Sequence, residues 1–238
     1  MNIALVGYGK MGKEIEQVAL SRGHNIVLKV SSSNSGSYSA EELKKADVAI
    51  EFSTPDSVIK NIYKCFDAET PVVVGTTGWL SHLETVKEHC QKGNKSLFYA
   101  SNYSIGVNLF FKLNEYAAKL MNKYPEYRIS MEEVHHVHKL DAPSGTAISL
   151  AIQAIEHLDR KKSWVNKKTD NESELEIISK RIDEVPGTHT VTYSSVVDEI
   201  SMTHTAHNRK GFALGAVIAA EWVKDKKGIF GMNDLLSN

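Results

Sequence analysis

The stretch Asn2-Ile3-Ala4-Leu5-Val6-Gly7-Tyr8-Gly9-Lys10-Met11-Gly12 decides how the chain is read. A short apolar run enters a turn with the spacing G-x-G-x-x-G, and a helical pattern over residues 13–22 follows. Each glycine has a separate physical reason: Gly7 permits the tight turn, Gly9 lets the backbone approach a pyrophosphate, and Gly12 lets the helix pack on the strand. Free N–H groups at the helix start then meet the anion. A G-x-G-x-x-G alone also fits a plain structural turn; its place between a first strand and a first helix favours a dinucleotide site.

Working outward, short β-rich runs alternate with helical stretches through the first hundred residues. Strands are expected at 2–6, 25–30, 47–52, 71–74 and 96–99, and helices at 13–22, 55–66 and 80–91. Near-continuous apolar strands joined by helices indicate an α/β fold, a Rossmann-like doubly wound parallel sheet. After Ser104 the rhythm changes to a long helical period over 107–122, a strand at 127–134 and a helix over about 144–158. A polar stretch at 159–173 reads as a surface loop without a motif, followed by β-rich runs at 175–182, 188–195 and 199–205. The expectation is a dinucleotide-binding domain over 1–104, completed by 213–238, and a smaller α+β domain with a mixed sheet over 105–212. The apolar helix at 212–223 would return to cover the first domain.

Bulk properties narrow the function classes. The 238 residues are 42% hydrophobic and 24% charged, an ordinary globular composition. Lys plus Arg number 28 against 29 Asp plus Glu, so no net field exists to hold a nucleic acid. The apolar run at 212–223 is too short and contains Glu221, which argues against a membrane span. The first residues show no basic n-region or cleavage site, and Cys65 and Cys90 fall in separate predicted helices as packed thiols. A cytoplasmic location is expected.

The second strand ends in Lys29-Val30-Ser31-Ser32-Ser33, where an Asp or Glu would ordinarily bind the ribose hydroxyls of NAD. Ser31 and Ser32 could hydrogen-bond a 2′-phosphate, with Lys10 or Lys29 supplying charge, which tilts the reading to NADPH and leaves NADH open. The serines could equally begin a flexible loop, since residues 31–39 are serine-rich. Gly75-Thr76-Thr77-Gly78 and Ala100-Ser101-Asn102-Tyr103 close the fourth and fifth strands, where ligands of open α/β sheets lie.

The most informative stretch is Glu133-Val134-His135-His136-Val137-His138-Lys139-Leu140-Asp141-Ala142-Pro143-Ser144-Gly145-Thr146-Ala147. Four titratable groups lie in five positions immediately before a helix start with Ser144 as N-cap, so amides near Gly145 and Thr146 would point at the same space. That suits a carboxylate substrate that is reduced and protonated. Zinc held by His135, His136 and His138 with His204 or His207 is the rival reading, but adjacent strand histidines point to opposite faces and the spacing matches no common zinc pattern; no metal is expected. Solvated histidines capping a helix are the plain structural alternative.

The same stretch resembles the motif of dihydrodipicolinate reductases, now called 4-hydroxy-tetrahydrodipicolinate reductases. The resemblance extends over nearly the whole chain, through the glycine turn, Glu51-Phe52-Ser53 with Pro55, the G-T-T-G at 75–78 and the A-S-N-Y-S-I-G-V-N at 100–108. It implies NAD(P)H-dependent reduction of (2S,4S)-4-hydroxy-2,3,4,5-tetrahydrodipicolinate in diaminopimelate and lysine biosynthesis. It implies further that His135 is the proton donor and that Lys139 assists. His136, Gly145 and Thr146 would hold the substrate carboxylate. Gly7, Tyr8, Gly9, Lys10, Met11, Gly12, Gly75, Thr76, Thr77, Ala100, Ser101, Asn102 and Tyr103 would contact cofactor. Members are usually homotetramers built through the sheet of the second domain. The chain departs from the pattern at three points: the glycine turn is one residue shorter with Lys10 for an arginine, Val137 replaces a basic residue, and Ser31 replaces a frequent acid. Another nicotinamide dehydrogenase, or a catalytically dead dinucleotide sensor, would have no reason to keep the 135–139 and 143–146 residues together.

Overall fold

In a computed structural model the described residues are 1–34, 37–208 and 210–237. The chain divides into two compact units, one of Met1–Ile105 with Lys210–Asn238 and one of Gly106–Arg209. In the first, β1 (Asn2–Val6), α1 (Lys10–Ser21), β2 (Asn25–Val30), α2 (Ala40–Leu43), β3 (Val48–Glu51), α3 (Pro55–Asp67), β4 (Val72–Val74), α4 (Leu83–Lys92) and β5 (Ser96–Tyr99) follow in order. The second comprises α5 (Ile105–Met121), β6 (Arg128–His135), α6 (Gly145–His157), β7 (Ser163–Val165), β8 (Glu174–Arg181), β9 (Thr188–Ser194) and β10 (Glu199–Thr205). The chain then rejoins the first unit with α7 (Lys210–Val223), β11 (Gly228–Phe230) and α8 (Met232–Leu236).

The first sheet is parallel throughout, in the order β11-β5-β4-β3-β1-β2. Strand alternation sends Ala4 and Val6 into one apolar layer with Val58, Ile62 and Leu97, and Ile3 and Leu5 into the other with Ile15, Ala216 and Val217. Covering both faces is what a doubly wound sheet requires, and α7 supplies much of the second layer by packing on α1, β3 and β4. The strand β11 was not expected from the sequence, because its three residues are too few to show a period. The order reverses between β1 and β3, and that switch point locates the cavity described below.

The second sheet is mixed, in the order β10-β9-β6-β8-β7: β6 and β8 are parallel, as are β7 and β8, while β6–β9 and β9–β10 are antiparallel. Ile129, Met131, Leu175, Ile177, Val191 and Tyr193 project from one face onto Phe110 and Ala118 of α5 and Leu150, Ala151 and Ala154 of α6. The stretch at 159–173 is more than a loop: it contains the edge strand β7, and Lys161 is buried with its ammonium donating 2.6 Å to the Glu174 carbonyl. Its polarity hid a three-residue strand that needs only one partner. Among the described residues no helix is long and apolar enough to cross a membrane.

Candidate active site

At the switch point the three glycines divide their work. Gly7 has φ +104°, and a Cβ there would stand 2.1 Å from the Phe52 carbonyl oxygen; one on Gly12 would stand 2.5 Å from the Gly7 carbonyl oxygen. A Cβ on Gly9 would meet nothing within 4 Å. The first and third glycines are therefore required by the protein's own packing, and the second leaves open space. Gly9 caps α1 without a side chain and no acid occupies the first turn, so the amides at the helix start and their partial positive charge face that space. A cavity of about 330 Å³ opens beside it, lined by Gly7, Tyr8, Gly9, Ser31, Ser32 and Ser53 among others. A second, of about 250 Å³, is lined by Met11, Gly75, Thr76 and Thr77 with Phe52, Ser53 and Pro55. These residues fit a dinucleotide, because a pyrophosphate needs bare backbone and uncommitted amides where Gly9 and Lys10 stand.

The surrounding residues are held by hydrogen bonds that the sequence did not announce. Asn34 accepts from the Ser31 N–H at 2.6 Å and donates to the Lys29 carbonyl at 3.0 Å, giving the end of β2 a fixed turn; positions 35 and 36 of the serine-rich stretch lie outside the described residues. Of Lys10 and Lys29, the two candidates to offer charge to a phosphate, Lys29 has its ammonium paired with Glu16 at 2.5 Å, and the Tyr8 hydroxyl donates to the same carboxylate. Those two hydrogen bonds hold Glu16 below the usual carboxylate range. Lys10 remains exposed at the start of α1. Thr76 Oγ1 accepts from the Ser53 N–H at 2.7 Å, and the buried Tyr103 hydroxyl donates to the Val74 carbonyl at 2.7 Å. Both side chains shape their turns from within. Ala100 is half-buried, Ser101 is exposed, and Asn102 Oδ1 accepts from the Ser104 N–H at 2.9 Å. Gly75 is forced by the Phe52 ring, 2.1 Å from where its Cβ would be. Beneath lies a buried carboxyl, Glu51, which burial pushes up and which accepts from Ser53 and Asn61.

In the second unit, His135 is the last residue of β6 and lies 7% exposed. Side chains two apart on a strand share a face, so Glu133, fully buried, stands beside it and accepts a hydrogen bond from Nδ1. Sheet register brings the rest: His189 of β9 lies opposite Glu133, and Arg181 of β8 lies alongside His135. Arg181 Nη1 donates 3.0 Å to the other Glu133 oxygen. Burial pushes the Glu133 carboxyl up, but hydrogen bonds from His135, Ser179 and Arg181 outweigh it and hold it at about 2. The rings of His135 and His189 meet edge to face at 5.1 Å. Gly187 passes so close that a Cβ on it would be 2.9 Å from His135 Nε2.

His189 joins this cluster to the start of α6. Ser144 is the N-cap, its Oγ accepting from the Ala147 N–H at 3.2 Å, so its own proton goes to His189 Nε2 at 3.0 Å. Burial, helped by the charge of His135, lowers His189 to about 4, which keeps the ring neutral and able to accept. With Ala147 capped, the amides of Gly145 and Thr146 are the remaining donors of the first turn, and a Cβ on Gly145 would meet nothing within 4 Å. Lys139 is 2.8 Å from Asp141, whose carboxyl this contact holds low. His136 is half-buried, with a buried Nδ1 that has no hydrogen-bond partner among the described residues, whereas His138 is exposed and 3.3 Å from Glu184. Glu133, His135 and His189 place ligand-type atoms within 4.8 Å of one another, a spacing that also suits a metal. The Glu133 oxygens already serve His135 and Arg181, however, and a guanidinium beside the site opposes a cation. Glu133, Arg181, Gly187 and His189 were not expected from the sequence, although an acid two residues before a strand histidine was a signal that could have been used.

Comparison with known proteins gives the family of the chain. The family model for the dihydrodipicolinate reductase N-terminus matches residues 1–103, and that for its C-terminus matches residues 106–236. The 4-hydroxy-tetrahydrodipicolinate reductase of Christiangramia forsetii is 50% identical over 238 residues, 100% of this chain and 98% of that protein. That of Buchnera aphidicola is 34% identical over 206 residues, 81% of this chain and 72% of that protein. Among solved structures, a dipicolinate-bound dihydrodipicolinate reductase from Paenisporosarcina sp. TG-14 superposes with a TM-score of 0.80 at 22% identity, covering 99% of both chains, which establishes the shared fold. With both halves matched and a full-length relative half identical in sequence, this chain belongs to the dihydrodipicolinate reductase family.

Proposed function

We infer that the chain is an NAD(P)H-dependent oxidoreductase that reduces (2S,4S)-4-hydroxy-2,3,4,5-tetrahydrodipicolinate to (S)-2,3,4,5-tetrahydrodipicolinate in diaminopimelate and lysine biosynthesis, as its family membership indicates. The observation that carries the residue assignments is the contiguous row from His135, whose ring meets His189 edge to face, to His189 and its hydrogen bond with Ser144, which sets a proton-capable ring beside an open helix N-terminus. The Gly145 and Thr146 amides, with His136, would hold one carboxylate of the substrate. The dipicolinate named for the Paenisporosarcina protein is a ligand of the same dicarboxylate class.

Gly7 to Gly12, with the turns at 75–77 and 100–103, would hold the dinucleotide. When bound, the reduced nicotinamide would supply hydride to C4 of the conjugated ring that remains once the 4-hydroxyl has left as water. His135 would give a proton to the reduced ring system, while the Lys139 ammonium stabilises negative charge developing there. Ser31 and Ser32 in place of an acid support NADPH ahead of NADH, with Lys10 rather than Lys29 as the available cation. We further infer a cytoplasmic homotetramer assembled through the second unit's sheet. Supporting this, that sheet presents cross-strand hydroxyl pairs, Thr190 with Thr203 at 3.0 Å and Thr192 with Ser201 at 2.9 Å, on strands that can meet a second copy.

The test is consumption of NADPH, and separately NADH, with substrate generated from pyruvate and aspartate semialdehyde by the preceding synthase. Enzyme-dependent oxidation is expected, falling about a hundredfold or more in His135→Gln and Lys139→Ala. Wild-type turnover in either folded variant would remove that role assignment. Light scattering of the purified protein checks the tetramer.

A further inference from the structure

Two residues outside the assignments above connect His135 with Lys139. Arg181 uses its whole fork: Nη1 donates to Glu133 Oε1 at 3.0 Å, Nε to the Lys139 carbonyl at 3.3 Å, and Nη2 to the Asp141 carbonyl at 2.5 Å. Glu133 gives its other oxygen to His135 Nδ1. We propose that the Glu133–Arg181 pair is a positioning unit that fixes the tautomer of His135 and the course of the loop carrying Lys139. This rests on the reading of His135 and Lys139 as the reacting groups.

The geometry requires a defined tautomer. A carboxylate is acceptor only, so His135 carries its proton on Nδ1, and Nε2 becomes the atom through which the ring exchanges a proton with a ligand. Gly187 leaves that nitrogen room, since any side chain there would begin 2.9 Å away. The ring cannot swing off this axis without leaving the fully buried Glu133 with one partner fewer, which costs free energy. The other contacts of loop 136–144 near Lys139 lie within the loop or at its exposed side: Lys139 N–H bonds the His136 carbonyl at 3.1 Å, Val137 N–H bonds the Asp183 carbonyl at 3.1 Å, Lys139 pairs with Asp141 and the exposed His138 with Glu184. The guanidinium therefore ties the carboxylate that orients His135 and the loop that carries Lys139 to a single side chain. A buried ion pair contributes little stability that apolar packing could not, whereas two reacting side chains need a common mount.

The experiment uses the full-length protein labelled with ¹⁵N-histidine, the His135 signals being assigned by their loss in His135→Gln. In the wild type, His135 is expected to show its proton on Nδ1. Glu133→Gln, which can present an amide N–H to that nitrogen, is expected to change this pattern. It should lower kcat at least about tenfold with KM for the nucleotide within about twofold. Arg181→Lys keeps the charge and loses the fork, and is expected to lower kcat similarly; millimolar guanidinium should restore part of the rate of Arg181→Ala. Should Glu133→Gln not fold, Arg181→Lys decides alone. An unchanged tautomer with wild-type kcat, or lost stability with kcat unaltered, overturns the proposal. Wild-type turnover in His135→Gln would instead remove the assignment beneath it, and the tautomer measurement separates the two failures.

Discussion

His189 makes the folded second unit sensitive to mild acid, by an amount the structure sets. The ring is 5% exposed, so solvent screening does little, and burial together with the neighbouring His135 lowers it from its ordinary 6.5 to about 4. The folded value lies below the unfolded one, so the stabilisation is complete above pH 6.5. As the pH falls from 6.5 to about 4 the unfolded chain takes a proton that the folded ring refuses. The gap, at about 1.4 kcal/mol per pH unit, amounts to about 3 kcal/mol lost by pH 4 and no more below it. Glu133 acts in a separate window, since its carboxyl is held at about 2 against an ordinary 4.5 and its contribution is lost only as pH falls through that lower range. His189→Gln puts an amide oxygen where Nε2 accepted the Ser144 proton and removes the titration. Urea unfolding, followed by hydrogen exchange of peptides from β9 so that the second unit is read by itself, is measured at pH 7 and about 4.5. The wild type should lose about 2–3 kcal/mol more than the variant over that interval. Parallel losses in the two proteins would refute the reasoning, because the acid sensitivity would then belong to other groups.

Four further outcomes follow from the glycines and from the end of β2. Gly9→Ala should raise KM for the nucleotide at least about tenfold while leaving the melting temperature within a degree or two. Gly12→Ala, whose Cβ would stand 2.5 Å from the Gly7 carbonyl, should cost about 1–3 kcal/mol of stability in thermal unfolding. Gly187→Ala should lower kcat with the nucleotide KM unchanged, because the new methyl group presses on His135 Nε2; steady-state kinetics with both substrates varied separates the two parameters. Ser31→Asp should move the kcat/KM ratio toward NADH, since a carboxylate repels a 2′-phosphate and accepts from ribose hydroxyls.

The parallel sheet was legible because its cause is local. Runs such as Ile3 to Val6 are apolar at every position, which only a strand covered on both faces tolerates, and the glycine spacing states which turn follows. The start of α6 was legible for the same reason, Ser144 being a cap whose partner is three residues away. The strand β7 and the pairing of Lys29 with Glu16 were not. A three-residue edge strand shows no period, and a salt bridge across thirteen positions depends on how α1 lies on β2.

The part of the site hardest to read is the part that sets its chemistry. The sequence shows four titratable groups in the five positions from His135 to Lys139, which by itself says nothing of which nitrogen carries a proton. That is settled by Glu133 from the same strand, by His189 from 54 positions onward in the chain and by Arg181 from 46, brought together only by the register of β6 with β9 and β8. A one-residue slip in either pairing would send Arg181 or His189 to the opposite face of the sheet and leave the Glu133 carboxylate buried without its partners. Register in turn is enforced by Ile129, Met131, Ile177, Val191 and Tyr193, which must all face α5 and α6. The apolar face that stabilises the second unit is thus the same device that aligns its ionisable residues, so substitutions in that core are expected to be read out in turnover before they are read out in unfolding.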